Sequence, residues 1–164
     1  MKHHEPSLAK WALCYAVDMS IHSIEQAAAE QPFSVAQPAA GQNWTFTVPA
    51  NTVYKLDTFS FTLVTSATVA TRFITLEFTD ASGNIIFAAT NGTGQAASLT
   101  ARTTASRFIN YLAVAGSNAS GSQFPLPDVW LPAGYIVKVV TTNLDAADQF
   151  SAVTGLAQVA EGSF

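Results

Sequence analysis

The chain has 164 residues, a mass of 17.3 kDa and a formal charge of −4 at pH 7. Charged residues make up only 11% of it, against roughly 25% in an average soluble protein, while 49% are hydrophobic. The acidic balance argues against a nucleic-acid binder, the single Cys14 excludes an intramolecular disulfide, and no apolar run is long enough to span a membrane. Polarity comes mainly from 18 Thr and 14 Ser, a composition suited to close packing against other proteins.

Residues 7–30 predict a long helix, because they contain no Gly or Pro and are flanked by Pro6 and Pro32. Its apolar residues form two stripes on nearly opposite sides. The first stripe is Leu8, Trp11, Tyr15 and Met19, and the second is Leu13, Val17, Ile21 and Ile24. A surface helix needs only one such stripe. We therefore interpret these eight residues as a partner interface, the alternative being a helix buried wholly within its own domain.

Residues 31–43 predict an extended connector, because Pro32 and Pro38 disfavour helix at the residues before them. An extended segment of this length reaches roughly 43 Å, far enough to lie on a neighbouring subunit. The apolar run from Trp11 to Val17 ends at Asp18 and is too short for a signal peptide, so we expect synthesis in a cytoplasm. The predicted division is a helix and anchoring arm over 1–43 and a β-domain over 44–164.

From residue 44 onward the pattern is that of short strands. Within the longest one, Phe59, Phe61 and Leu63 alternate with Thr and Ser. The predicted strands cover about 44–48, 53–65, 73–79, 85–89, 96–102, 107–114, 135–142 and 150–159, with a hairpin loop at 80–84 in which Gly83 or Asn84 takes a positive φ. About eight strands at this spacing predict an antiparallel β-sandwich.

One short internal repeat refines the fold. Val48-Pro-Ala-Asn51 and Leu131-Pro-Ala-Gly134 each place a residue tolerant of positive φ directly before a long strand. A jelly roll enters its sheets through such corners. The sequence therefore predicts a mainly β protein, a jelly-roll-like antiparallel β-sandwich with an N-terminal helix and extended arm.

Residues for catalysis are sparse, and we predict no enzyme, cofactor or metal. His3, His4 and His22 all precede the β-domain, no GxSxG motif occurs, and Cys14 is interpreted as a buried, inert thiol. A hydrolase with an unrecognised site is the weakest alternative. The loop with Asn143, Asp145 and Asp148 has oxygens suited to Ca²⁺, although such carboxylates more often cap turns.

Two further groups of residues suggest binding. Trp44, Phe124 and Trp130 flank loops and could stack on a sugar, but plugging the ends of the sandwich is the favoured interpretation of the two tryptophans. Arg72, Arg102 and Arg107 are either interface residues or ordinary surface charges, since arginine is enriched at interfaces.

The β-domain resembles small accessory virion proteins of tailed bacteriophages, of the jelly-roll capsid decoration or cement type. The likeness covers about residues 44–155 and lies in corners and turns. These are Val48-Pro-Ala-Asn51, Asp80-Ala-Ser-Gly-Asn84, Gln95-Ala-Ala-Ser-Leu99, Pro125-Leu-Pro-Asp128, Leu131-Pro-Ala-Gly134 and Thr142-Asn-Leu-Asp-Ala-Ala-Asp-Gln149.

The resemblance implies a non-enzymatic protein on the capsid surface of a virion, which cements the shell by bridging neighbouring capsomers. Its expected partners are the major capsid protein and copies of itself, with neither nucleic acid nor membrane. A tail, neck or head-fibre protein with a receptor- or glycan-binding role is the alternative. The N-terminal helix and arm lie outside the resemblance.

Overall fold

The computed structural model describes residues 28–108 and 122–161, which contain ten strands and no helix. The strands are β1 (Ala29–Val35), β2 (Thr45–Thr47), β3 (Thr52–Val64), β4 (Phe73–Thr79), β5 (Ile85–Thr90), β6 (Thr100–Ser106), β7 (Ser122–Pro125), β8 (Ile136–Thr142), β9 (Gln149–Phe150) and β10 (Val153–Glu161). A six-stranded sheet has the order β1-β10-β3-β6-β7, with β9 also paired to β3, and a four-stranded sheet has the order β2-β8-β4-β5. Only the β6–β7 pair is parallel among these strands.

The strand pairs are nested along the chain. β1 pairs with β10, β2 with β8, β3 with β6, and β4 with β5. The first and third pairs belong to the six-stranded sheet, and the second and fourth belong to the four-stranded sheet. The described chain is therefore a long antiparallel ribbon, folded back at the β4–β5 hairpin and wound so that successive pairs alternate between two sheets.

The core lies between the two sheets and is built by the alternation seen in the sequence. Phe59, Phe61 and Leu63 of β3 face inward and are buried against the inner side of the opposite sheet, where Leu76 and Phe78 of β4 lie. Burial of each such side chain contributes about 1.5–3 kcal/mol. Aromatic contacts cross between the sheets, including the edge-to-face pair of Phe33 on β1 and Phe46 on β2, whose ring centroids are 4.9 Å apart.

The repeated corners take the predicted conformation and also bind each other. Asn51 has φ of 60° and Gly134 has φ of 82°, and β3 and β8 follow these two residues. The Val48 N–H donates to the carbonyl oxygen of Tyr135 at 2.9 Å, and the Gly134 N–H donates to that of Val48 at 3.0 Å. The two corners thus close one end of the sandwich together. Gly83, with φ of 87°, takes the positive φ predicted for the β4–β5 hairpin loop.

The residues just before position 44 differ from the prediction. Ala29 and Glu30, expected to end the helix, and the first part of the connector form strand β1, which pairs with β10 from Ala29↔Val159 to Val35↔Val153. Phe33 of this strand is buried in the core. Pro32 is accommodated because β1 is an edge strand, where one side needs no N–H donor. The six-stranded sheet therefore includes residues on the arm side of the predicted division at 43.

Two predicted strands are also displaced. The strand expected at 96–102 lies at Thr100–Ser106, because Thr65 and Gln95 side chains bind the backbone of residues 96–99 in a turn. Arg107 and Phe108 follow the end of β6 in a turn rather than starting a strand, and the remainder of the strand predicted at 107–114 lies outside the described residues. β7 was not predicted, since its four residues show no alternation of their own.

Candidate interaction surfaces

The predicted interface residues Leu8, Trp11, Leu13, Tyr15, Val17, Met19, Ile21 and Ile24 lie outside the described residues, as do Cys14 and the three histidines. Their role stays a prediction. The surfaces that can be described belong to the two sheets and their loops.

The loop considered for calcium is occupied by an ion pair within the protein. Both oxygens of Asp148 accept hydrogen bonds from Arg72, at 2.9 Å from Nε and 3.0 Å from Nη2, and both side chains are fully buried. The same carboxylate also accepts the N–H of Ser66 at 2.7 Å and that of Asp145 at 2.8 Å. The guanidinium therefore takes the place that a cation would need. Asp145 caps the turn, accepting the Ala147 N–H at 3.0 Å.

The three aromatic candidates differ in exposure. Trp44 is 1% exposed and its ring packs edge-on against Phe59 at 5.6 Å, so it belongs to the core. Phe124 is equally buried. Trp130 is half-buried, and the Lys55 Nζ atom lies 5.5 Å from its ring centroid. Of the three, only Trp130 has ring surface that could meet a ligand.

Charges cluster beside Trp130. The Asp128 carboxylate accepts hydrogen bonds from Lys55 Nζ at 2.7 Å and from Arg107 Nη1 at 2.6 Å, and Arg107 also pairs with Asp57. Hydrogen bonds from Lys55 and then Arg107 hold the pKa of Asp128 below its ordinary value. Asp128 is largely exposed, so its bonds to Lys55 and Arg107 contribute little stability, whereas the Arg107 and Asp57 side chains are mostly buried. It fixes the end of β6 against the loop that carries Trp130.

The outer side of the six-stranded sheet carries a continuous row of uncharged polar side chains. The strand registers place Ser34 opposite Thr154, Thr154 opposite Ser60, Ser60 opposite Thr104, and Thr104 beside Gln123. This polar row crosses five strands, about 19 Å at 4.8 Å per spacing, and all its members are exposed or half-buried. The adjacent row contains Pro32, Leu156, Thr58, Ser106 and Pro125.

A shallow groove runs along β3 in this outer face, with a volume of about 280 Å³. It forms because β3 presents the small side chains of Thr58 and Ser60 between larger residues of β10 and β6, among them Leu156 and Arg102. Arg102 donates to the Ser60 hydroxyl at 3.0 Å. Among the described Lys and Arg side chains, it is the one without a carboxylate partner. The groove thus combines hydroxyl groups with one available cation.

The alternation of Thr and Ser along β3 predicts, from the sequence alone, which residues of this strand lie on the outer face. The row across the strands depends on registers between residues as far apart as Ser34 and Thr154, which no local pattern encodes. Of the three arginines, the structure brings only Arg102 to this face, while Arg72 is internal and Arg107 belongs to the charged cluster.

Residues 28–108 and 122–161 hold no group of three His, Cys, Asp or Glu side chains placed to bind a metal ion. The same residues include no helix long and apolar enough to cross a membrane.

Comparison with known proteins gives few relatives. No protein-family model matches the chain, and no curated protein matches it. Among solved structures three chains match. One is from the structure of infectious bursal disease virus strain Gt, at 17% identity and a TM-score of 0.34, covering 82% of this chain and 32% of that chain. Another is from strain Gx, at 16% identity and a TM-score of 0.33, covering 84% and 32% respectively. This chain thus spans about a third of the virus chains it matches.

Proposed function

We propose that this protein is a non-enzymatic virion structural protein that decorates a phage capsid and stabilises it by bridging neighbouring capsomers. The observation that carries the proposal is the polar row on the outer face of the six-stranded sheet. Residues 1–43 would supply the attachment arm, with the two-stripe helix as its anchor. The major capsid protein and further copies of this chain would be the partners.

The polar row suits a protein interface for a physical reason. Ser34, Thr154, Ser60, Thr104 and Gln123 offer donors and acceptors without any formal charge. The row itself contains no ion, so its burial avoids the desolvation that makes charged surface costly to bury, and on the groove side of the row the one charge to accommodate is Arg102. Short hydroxyl side chains also lose little conformational entropy on contact, because few rotatable bonds are fixed. A shell-stabilising protein needs many such modest contacts spread over a large area rather than one reactive site.

The strand order supports the fold expected of such a protein. We infer that the nested pairs, which alternate between a β1-β10-β3-β6 set and a β2-β8-β4-β5 set, constitute a jelly roll, with β7 and β9 as additions to one sheet. The jelly roll is a common architecture of viral capsid domains and of lectins. The topology therefore suits a virion protein and also keeps a sugar-binding alternative in view.

The experiment begins with virus particles purified by density gradient from cells in which this chain is made. We expect mass spectrometry to find the chain in particles at a fixed ratio to the major capsid protein. Particles stripped of it should release their genome at a lower temperature, and adding back the purified chain should restore the release temperature. A chain absent from purified particles, or one whose removal leaves that temperature unchanged, contradicts the proposal.

A matched pair of variants tests whether the outer face of the six-stranded sheet is the binding interface. Thr154→Glu places a charge in the polar row, while Thr142→Glu places one at an exposed threonine on the outer side of the four-stranded sheet. We expect the first variant to lose at least tenfold in affinity for stripped particles and the second to bind like the unmodified chain. Circular dichroism establishes that both are folded. Equal binding by the two variants would remove the polar row from the interface.

The second candidate function is glycan binding at Trp130, in a tail, neck or head-fibre protein. The half-buried ring of Trp130 beside Lys55 and the exposed Asp128 is the observation that favours it. An array of bacterial surface polysaccharides tests this alternative with the full chain and with Trp130→Ala. Binding that is lost in Trp130→Ala and retained in Trp11→Ala would favour the glycan role, whereas silence across the array would count against it.

A further inference from the structure

Arg102 carries an uncompensated charge on the outer face of the six-stranded sheet. It lies on β6 opposite Thr62 of β3, in the row next to the polar row. Neither the polar row nor the row from Pro32 to Pro125 contains a charged residue. Among residues 28–108 and 122–161, no carboxylate forms an ion pair with Arg102. Any protein that covers this part of the face therefore also has to accommodate a cation.

The guanidinium group of Arg102 is held at the groove along β3. Its Nη2 atom donates to the hydroxyl of Ser60, which lies diagonally across the strand pair, at 3.0 Å. That bond uses one of the five guanidinium N–H groups, and in the part of the chain that the structure describes it is the only hydrogen bond of this side chain. The side chain is exposed, so the other N–H groups remain available. Their planar fork matches the two oxygens of a carboxylate.

The other side chains of the groove suit the rest of an acidic side chain. The hydroxyl of Thr58 already donates to the carbonyl oxygen of Ala105 at 3.0 Å. The hydroxyls of Thr104 and Thr154 also line the groove, and each can donate a hydrogen bond to a carboxylate oxygen. Leu156, 40% exposed, forms an apolar wall on the β10 side. A carboxylate on a short apolar stem meets both kinds of surface, whereas an inorganic anion would leave the leucine uncovered.

We propose that the groove receives an aspartate or glutamate side chain of the shell protein, whose carboxylate forms a bidentate pair with Arg102. The inference rests on the function proposed above, which places this face against the shell. An interface that covers Arg102 removes its water, and a cation buried without a partner is strongly destabilising. The shell protein must therefore bring a negative group to this position. One charge on an otherwise uncharged face also fixes the orientation of the two proteins, because only one placement pairs it.

Binding of the full chain to stripped particles tests the role of Arg102. Arg102→Gln removes the charge from the groove, and we expect at least a tenfold loss of affinity, because the partner carboxylate is then left unpaired in the interface. Lys138→Gln is the matched control, since it removes one positive charge from the outer side of the four-stranded sheet. This control should bind like the unmodified chain. Circular dichroism establishes that both variants are folded.

The possible results separate this inference from the proposed function. An unmodified chain that does not bind stripped particles overturns both. If the unmodified chain binds and Arg102→Gln binds equally well, the carboxylate pairing is overturned and the virion role stands. Equal losses in Arg102→Gln and Lys138→Gln would mean that net charge governs the affinity, which also overturns the pairing in the groove.

Cross-linking identifies the group that occupies the groove. Arg102→Lys keeps the positive charge and supplies an amine, which a carbodiimide joins to a contacting carboxylate as an amide while taking up the water released. We expect mass spectrometry of the treated complex to find residue 102 linked to an aspartate or glutamate of the shell protein. Thr142→Lys, at an exposed position on the outer side of the other sheet, is the control and should give no such link. A link from residue 102 only to carboxylates of this chain, or no link at all, contradicts the proposal.

Discussion

Arg72 and Asp148 form a fully buried, bidentate ion pair that joins the loop before β4 to the loop between β8 and β9. All five guanidinium N–H groups are used. Besides the carboxylate they reach the carbonyl oxygens of Thr68 and Ala70, at 2.9 and 2.8 Å, and the Ser66 hydroxyl at 3.1 Å. The pair therefore fixes two loops that are distant in sequence at one end of the sandwich.

Removing one partner of this pair should be strongly destabilising. Asp148→Ala leaves the Arg72 charge buried without compensation, for which we expect a loss of about 3–5 kcal/mol in the free energy of unfolding. Replacing both partners, as in Arg72→Met with Asp148→Leu, should recover most of that loss because no charge then remains in the interior. Urea unfolding of the three proteins provides the measurement. A single variant as stable as the unmodified chain would contradict the buried pair.

The same pair should make the fold sensitive to acid. Burial alone would raise the pKa of Asp148, but hydrogen bonds from Arg72 and from the N–H groups of Asp145 and Ser66 outweigh it, so the pKa lies below its ordinary value. A lowered pKa means that the unfolded chain binds the proton more readily. The stabilisation is therefore complete above the pKa of the unfolded carboxyl, about 3.9, and is lost as the pH falls below it.

The part of the acid sensitivity that comes from the buried pair can be measured by comparing the unmodified chain with the double variant. Unfolding free energies measured from pH 6 down to pH 2 should fall more steeply in the unmodified chain than in Arg72→Met with Asp148→Leu. The difference in slope is at most about 1.4 kcal/mol per pH unit, the share of one proton. Asp80 and Asp128, whose pKa values are also lowered, are present in both proteins and cancel. The pKa of Asp145 is lowered as well, but the Asp148 charge raises it in the unmodified chain alone, so the comparison reports the two neighbouring carboxyls together. Identical slopes would mean that Asp148 does not drive the acid response.

Gly155 offers a test of how closely β10 approaches β3. A Cβ atom at this position would lie 2.0 Å from the Thr58 carbonyl oxygen and 2.6 Å from the Phe59 Cα, both backbone atoms that cannot move aside independently. Gly155→Ala should therefore lower the free energy of unfolding by about 1–3 kcal/mol or more, because the added methyl group overpacks the space between the two strands. Gly92→Ala is the control, because nothing lies within 4 Å of its added Cβ. A Gly155→Ala variant with an unchanged urea midpoint would show that the two strands can separate without cost.

The sequence predicts those parts of the fold that depend on local alternation. The predicted strands at 53–65, 73–79 and 135–142 agree with β3, β4 and β8 within a residue at each end. β4 and the second half of β3 alternate apolar and polar residues, and β8 is rich in Val, Ile and Thr, which favour strand. The hairpin loop at 80–84 follows from its turn residues, and Asp80 accepts the N–H groups of Ser82 and Asn84 there.

Strands that exist only through distant pairing could not be read in this way. β1 is held by β10, more than a hundred residues later in the chain, and its Ala, Glu and Gln residues favour helix locally. β7 is held by a parallel pairing with β6. The polar row has the same origin, since its members come from five strands and share a face only once the registers are set. Arg72 stands out in the sequence because the chain has few charged residues. Its buried partner Asp148 is 76 residues away, so no local pattern predicts the pair.

Comparing two aromatic truncations tests whether the predicted helix contributes to the stability of the sandwich. Phe61 is buried between Trp44 and Phe150, with ring centroids 5.6 and 5.7 Å away, so Phe61→Ala should cost about 3–5 kcal/mol of sandwich stability. Trp11→Ala, on the first predicted stripe, should instead leave the urea midpoint unchanged and weaken binding to stripped particles. Far-UV circular dichroism follows unfolding in both variants, since it does not depend on the removed indole. If Trp11→Ala lowers the midpoint as far as Phe61→Ala does, the N-terminal segment packs into the core of the sandwich and does not act as an anchor.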